Sequence, residues 1–295
     1  MPRYKLTIAY DGTDFHGWQQ QEPPDPASDP ALGEARPRIV LRTVQEVVQR
    51  AVREIVREPV IVKGASRTDA GVHAKAQVAA FTCSDGAPGE SPTPAGDDPG
   101  ASPRHHGGWP LSRGTDRLLR AVNSRLPDDA IVTAIDPVPD SFDPITDCTS
   151  KAYSYALYFS PRGLPPLWDR RYVHQVFVPL DVPLMNRAAA HLVGEHDFAA
   201  FAAAGHDRAT TVRTVHSLAI TERTLEDGSL RYRIGVAGSG FLWNMVRIIA
   251  GTLLEVGRGR LTPDDVASAL KSKDRREAGP TLPPTGLCLE WINYG

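Results

Sequence analysis

Residues 43–82 read TVQEVVQRAVREIVREPVIVKGASRTDAGVHAKAQVAAFT, and changes of period inside this stretch set the class of the fold. Val44, Val47, Val48, Ala51, Val52, Ile55 and Val56 recur at helical spacing and give one apolar helix face. Thr43 and Glu46 fit a capping box at its start, and Pro59 predicts its stop. Val60–Lys63 then reads as a short strand, GASRTDAGVHA as a loop, and Gln77–Thr82 as a second strand. A helix followed by two strands breaks the strict strand–helix alternation of a doubly wound nucleotide fold.

Upstream, Tyr4, Leu6, Ile8 and Tyr10 alternate with Lys5, Thr7 and Ala9, the period of a half-buried strand. Downstream, Thr115–Leu126 predicts a helix and Ile131–Val138 a strand. The second half opens with a strand at Lys151–Phe159, carrying Tyr153, Tyr155, Leu157 and Phe159 on one face. Asp181 and Pro183 start a helix that Gly194 ends, and Val212–Thr221 and Leu230–Val236 read as strands. A helix from Phe241 to Val256, a capped one from Thr262 and a closing strand at Leu287–Asn293 complete the pattern. The two halves show no sequence repeat.

Two segments interrupt this order. Residues 22–37 hold five prolines, and residues 84–114 hold seven glycines and six prolines, with Trp109 and Leu111 their only large apolar side chains. Both predict flexible surface insertions, because such composition buries too little surface to offset ordering entropy. His105–His106 inside the second reads as incidental.

Hydrophobic residues at 41% and charged residues at 23% exclude global disorder and fibrous repeats. A formal charge of −2 argues against a nonspecific nucleic-acid coat protein. Residues 22–38 and 84–114 are both acidic, and without them 29 basic residues stand against 27 acidic ones. That is compatible with an RNA held over a local patch, and equally with a small-molecule enzyme. The apolar run Phe241–Leu254 is cut by Asn244 and Arg247, too short and too polar for a membrane span. Three scattered cysteines and an N-terminus that reaches Asp11 without an apolar leader lead us to expect a cytoplasmic chain.

The sharpest local signal is Gly64-Ala-Ser-Arg-Thr-Asp-Ala-Gly71-Val-His73, with its one carboxylate at Asp69 and Arg67 two positions away. An arginine beside an aspartate keeps it ionised, which suits a nucleophile; a structural ion pair fixing the loop explains the same spacing. Tyr10-Asp-Gly-Thr-Asp-Phe-His-Gly-Trp-Gln-Gln-Gln21 interleaves aromatics with amides, either to stack bases or to cover the core at a strand end. Gly238-Ser-Gly240 reads as a plain turn, since Trp243 stands where a dinucleotide loop needs its third glycine. His191 and His196 lack metal-ligand spacing, so no metal or other cofactor is expected. Arg247 sits within an apolar helix and must snorkel or pair with an acid, Asp69 being one candidate.

Taken in order, YDGTDFHGWQQQ, TVQE, GASRTDAGVHA, NSRLP (123–127), KAYSY (151–155), GEHDFAAF (194–201), GFLWNMVRIIAGTLLEVG (240–257) and GLCLEWINY resemble the tRNA pseudouridine synthase A family across nearly the whole chain outside the insertions. The resemblance implies an α/β (α+β) fold of two RRM-like halves, 1–145 and 146–295, whose antiparallel sheets join around a central RNA-binding cleft. It implies a cofactor-free, homodimeric isomerase that converts uridine to pseudouridine at nucleotides 38–40, in the anticodon stem-loop of tRNA. By match to the family's R-T-D-A-G loop, Asp69 would be the nucleophile and Arg67 would help extrude the target nucleotide. Tyr153 would stack on the base and aid proton transfer, and Arg247 would pair with Asp69. This chain departs from relatives in its two insertions and in Asp143–Ser150, which lacks basic residues before KAYSY. A non-catalytic RNA-binding protein on the same sheet and an aspartyl-dependent hydrolase are the competing readings.

Overall fold

The computed structural model describes residues 1–24, 38–86, 107–203 and 210–295. Most of both insertions, including His105–His106, lies outside the described residues. Two compact units are present: residues 1–10, 15–67 and 77–147 form one, and residues 11–14, 68–76 and 148–295 the other.

The first unit contains β1 (Arg3–Tyr10), α1 (Val44–Val56), β2 (Lys63–Gly64), most of β3 (His73–Thr82), α2 (Thr115–Asn123) and β4 (Ala130–Val138). The strands lie in the order β4-β1-β3, with β2 on β3, which is the split β-α-β-β-α-β arrangement. Tyr4, Leu6, Ile8 and Tyr10 of β1 are buried, as their period of two requires. Thr43 caps α1 by accepting the Glu46 N–H, but the Glu46 carboxylate turns to Arg50 and leaves the capping box half made. The helix ends at Arg57 in the left-handed conformation, before Pro59. Asn123 fastens α2 to β4, donating to Val132 O and accepting from Val132 N, each at 2.8 Å.

Two expectations need correction here. Only Lys63–Gly64 pairs as β2, not Val60–Lys63. The near flanks of the second insertion also pack, contrary to the reading of 84–114 as one solvated segment. Trp109 is buried, its backbone oxygen accepts the Tyr4 hydroxyl, its N–H donates to Ser84 O, and Arg113 lies over its ring. One large aromatic in a Gly/Pro-rich run is enough to anchor its neighbours when a core lies within reach.

The second unit contains β5 (Ser150–Phe159), β6 (His174–Val176), α3 (Val182–Ala190), β7 (Gly194–Asp197), β8 (Val212–Thr224), β9 (Leu230–Gly238), α4 (Met245–Gly257), α5 (Pro263–Ser272) and β10 (Leu287–Asn293). Its order β10-β5-β9-β8-β7 repeats the same split arrangement with β7 added at the edge. Each half is thus an RRM-like α+β unit built on antiparallel pairs, although the sequences of the halves share no repeat. Tyr155, Leu157, Tyr232 and Ile234 are buried in the sheet, and Ile248, Ile249, Leu253 and Leu254 in α4. Each such side chain contributes about 1.5–3 kcal/mol of hydrophobic stabilisation.

β3 begins at His73, four residues earlier than the sequence pattern indicates. His73 and Ala74 pair in parallel with Cys288 and Leu289 of β10, which places residues 68–76 in the second unit. Asp181 caps α3, and Thr262 with Asp265 forms a complete capping box on α5. α4 starts at Met245 and not at Phe241, because Asn244 adopts φ 60°, ψ 4° and cannot belong to a right-handed helix. Among the described residues no helix is long and apolar enough to cross a membrane.

Candidate active site

Asp69 opens a tight turn in which Val72 N–H donates to Asp69 O at 3.2 Å. Gly71 occupies the third position with φ 79°, the position where a type II turn requires positive φ. Gly12 and His73 brace this loop, the Gly12 N–H donating to His73 Nδ1 at 3.0 Å while His73 Nε2 lies 3.1 Å from Thr285 O.

Both oxygens of the Asp69 carboxylate meet donors from the start of α4. Trp243 Nε1–H donates to Oδ1 at 3.3 Å, and Arg247 Nη1–H donates to Oδ2 at 3.5 Å. The Asp69 side chain stays 37% exposed, so a polar group from outside can still approach it. Arg247 is only 16% exposed and is held by two shorter bonds, from Nε to Leu282 O at 2.6 Å and from Nη1 to Asn244 Oδ1 at 2.7 Å. The charge inside the apolar helix is thus paired, as its desolvation requires.

The chain segment 279–283 that supplies Leu282 O is fastened in turn. Thr252 Oγ1 accepts the Gly279 N–H at 2.8 Å, and the Tyr155 hydroxyl donates to Pro283 O at 2.7 Å. Burial pushes the Tyr155 phenol well above its ordinary range against the opposing charge of Arg247, so it remains a donor. Gly251 is the point of closest approach, where a Cβ would stand 1.9 Å from Pro280 O.

Of the residues singled out from sequence, Asp69 and Arg247 come together. Tyr153 lies on β5 between Val236 and Leu289, 7% exposed, with its ring edge-on to Phe241 at 5.4 Å. Arg67 is exposed and makes no ion pair or hydrogen bond among the described residues, so the structural Arg67–Asp69 pair is not formed. Tyr10, Phe15 and Trp18 are buried, which makes the N-terminal aromatics core residues rather than a stacking surface. Trp243 and Asn244 are the contacts the sequence reading missed. The available signal was Asn244 standing three residues before Arg247, the spacing that lets side chains meet. Among the described residues no group of three His, Cys, Asp or Glu is placed to hold a metal ion.

A family model described as tRNA pseudouridine synthase matches residues 188–295. The whole chain aligns, at 36% identity over 294 residues, with all of tRNA pseudouridine synthase A 2 of Clostridium perfringens. It is 39% identical over 298 residues to the tRNA pseudouridine synthase A of Solidesulfovibrio magneticus, covering all of this chain and 92% of that one. The chain belongs to the tRNA pseudouridine synthase A family. The corresponding protein of Pelobacter propionicus is 38% identical with both chains fully covered. Membership makes the chain an isomerase. Asp69 and Arg247 lie in GASRTDAGVHA and GFLWNMVRIIAGTLLEVG, two of the runs that carry the family resemblance.

Proposed function

We propose that this chain isomerises uridine to pseudouridine at nucleotides 38–40 in the anticodon stem-loop of tRNA, with Asp69 as nucleophile and without a cofactor. The observation that carries the reading is the Asp69 carboxylate, engaged at one oxygen by Trp243 and at the other by Arg247 yet over a third exposed. Arg247 places a cation beside the carboxylate, and the exposed edge leaves a path for an extruded nucleotide.

The reaction breaks the C1′–N1 bond and forms C1′–C5; the C5 proton leaves to solvent and N1 takes one up. Composition is unchanged, so the conversion itself calls for no oxidant or reductant. Asp69 attack at uracil C6 and at ribose C1′ both fit this balance. In this reading the exposed Arg67 enters the space vacated by the target nucleotide, and Tyr153 stacks on the base once Phe241 yields its edge-on position. A cytoplasmic homodimer belongs to the same reading, and exposed Leu164, Leu167, Trp168 and Phe177 offer apolar surface for a second copy.

The test is release of tritium from tRNA transcripts carrying C5-tritiated uridine. Tritium and pseudouridine should appear in equal amounts. Folded protein that binds tRNA without releasing tritium would make the chain a binding protein instead.

A further inference from the structure

The start of α4 departs from the other capped helices of this chain. Thr43, Asp181 and Thr262 precede their helices with negative φ, and each side chain accepts a helix N–H. That is the ordinary behaviour of an N-cap residue. Asn244, among the best residue types for that task, sits at φ 60° and caps nothing. Among the described residues the other two with positive φ outside glycine, Arg57 and Lys273, end helices, where the left-handed conformation is common. An uncommon backbone at the head of a helix, beside a reactive carboxylate, marks a position whose geometry serves something other than the helix.

What the Asn244 amide does instead is accept from Arg247 Nη1 at 2.7 Å. The guanidinium is planar, and each of its N–H directions is fixed once two of them are tied. Nε–H is tied to Leu282 O and one Nη1–H to Asn244 Oδ1, which turns the second Nη1–H toward Asp69 Oδ2. The Asp69 contact, at 3.5 Å, is the longest of the three and depends on the other two for its aim. The same left-handed residue follows Trp243, whose Nε1–H meets the other carboxylate oxygen.

We propose that Asn244 is a positioning residue for the isomerisation: its left-handed backbone and its amide oxygen together orient Arg247, and through Arg247 the Asp69 carboxylate. The proposal rests on the reading of Asp69 as nucleophile. Asn244 touches neither base nor ribose in this role, so its loss slows the chemical step and leaves tRNA binding alone.

The test compares Asn244→Gly, which keeps the backbone conformation and removes the acceptor, with the isosteric Asn244→Asp, which keeps an acceptor at the same reach. Single-turnover pseudouridine formation and the Kd for a tRNA transcript are measured on each. Asn244→Gly should form product at least tenfold more slowly with Kd within twofold of the parent. Asn244→Asp should recover the rate to within about fivefold, since effects of this size track aim and not mass. If Asn244→Gly folds poorly, Asn244→Ser, whose hydroxyl is too short to reach Nη1, serves in its place. A rate within twofold of the parent for the Gly or Ser variant overturns the proposal, as does equal loss in the Asp variant or a loss carried by Kd. Asp69→Asn is assayed alongside. Product from that variant refutes the nucleophile reading itself, whereas an inactive Asp69→Asn with an unaffected Asn244→Gly removes only the role assigned to Asn244.

Discussion

Replacing Gly251 by alanine probes how the site is built. In the middle of α4 the exchange alone should stabilise by about 1 kcal/mol through helix propensity. The structure opposes it, because the new Cβ would stand 1.9 Å from Pro280 O, with Leu282 Cγ at 3.4 Å. Carbon–oxygen contacts settle near ~3.4 Å, so segment 279–283 must retreat by about 1.5 Å or α4 must shift. Overpacking of this kind costs roughly 1–3 kcal/mol, which leaves the variant about 0–2 kcal/mol less stable than the parent. The larger effect falls on turnover. Retreat of the segment carries Leu282 O away from Arg247 Nε and frees the guanidinium that aims at Asp69. Displacements near 1 Å at a reacting group cost on the order of 100-fold, so a loss of at least tenfold is expected. Urea denaturation gives the stability and single-turnover pseudouridine formation the rate. A Gly251→Ala protein that is more stable than the parent and fully active would refute the reasoning.

Tyr153→Phe should fold and bind tRNA while turnover falls at least tenfold, about 1.4 kcal/mol of barrier; unchanged turnover returns Tyr153 to a purely structural role in β5. Trp109→Ala should destabilise by about 3–5 kcal/mol in denaturant titration, because the residue is 3% exposed; a change under 1 kcal/mol would mean the flank of the second insertion is not anchored. Burial pushes the Asp11 carboxyl up, but bonds from the Thr13 hydroxyl, the Thr13 N–H and the Tyr172 hydroxyl outweigh it and hold the carboxyl below its ordinary value. Its contribution to stability is therefore complete above the unfolded value near ~4 and is lost as pH falls through the lower folded value. Asp11→Asn should flatten the fall of unfolding free energy with acid below about pH 4, and an unaltered slope would contradict that sign.

The parts of this fold legible in the sequence are those where one element decides its own state. The valines of α1 and the alternation in β1, β5 and β10 fixed type and place because a single face meets a core. Arg247 was legible as a residue in need of an acid, since charge inside an apolar helix must be compensated. What stayed hidden depended on distant partners. β3 starts at His73 only because Cys288 and Leu289 lie beside it, and β7 is a four-residue edge strand defined by its pairing with β8. Trp109 is core because Tyr4 and Ser84 receive it. The run from Phe241 to Asn244 has helical composition, and no periodicity signals the left-handed turn at Asn244 that moves the helix start to Met245. That same turn concealed Trp243 and Asn244 as contacts of the site. The common topology of the two units left no trace in the sequence, because a shared arrangement of strands needs only compatible patterns of apolar residues.

Asp69→Asn keeps the shape of the side chain and removes its charge and nucleophilicity. Pseudouridine formation by this variant, with its fold and tRNA binding checked and deamidation excluded by mass spectrometry, tests the account most directly. The account predicts a folded protein that binds tRNA and makes no detectable pseudouridine. If Asp69 served only to pair with Arg247, the variant would lose roughly 1–3 kcal/mol of stability and keep residual activity. Substantial pseudouridine formed by a clean preparation would contradict the assignment of Asp69 as the nucleophile.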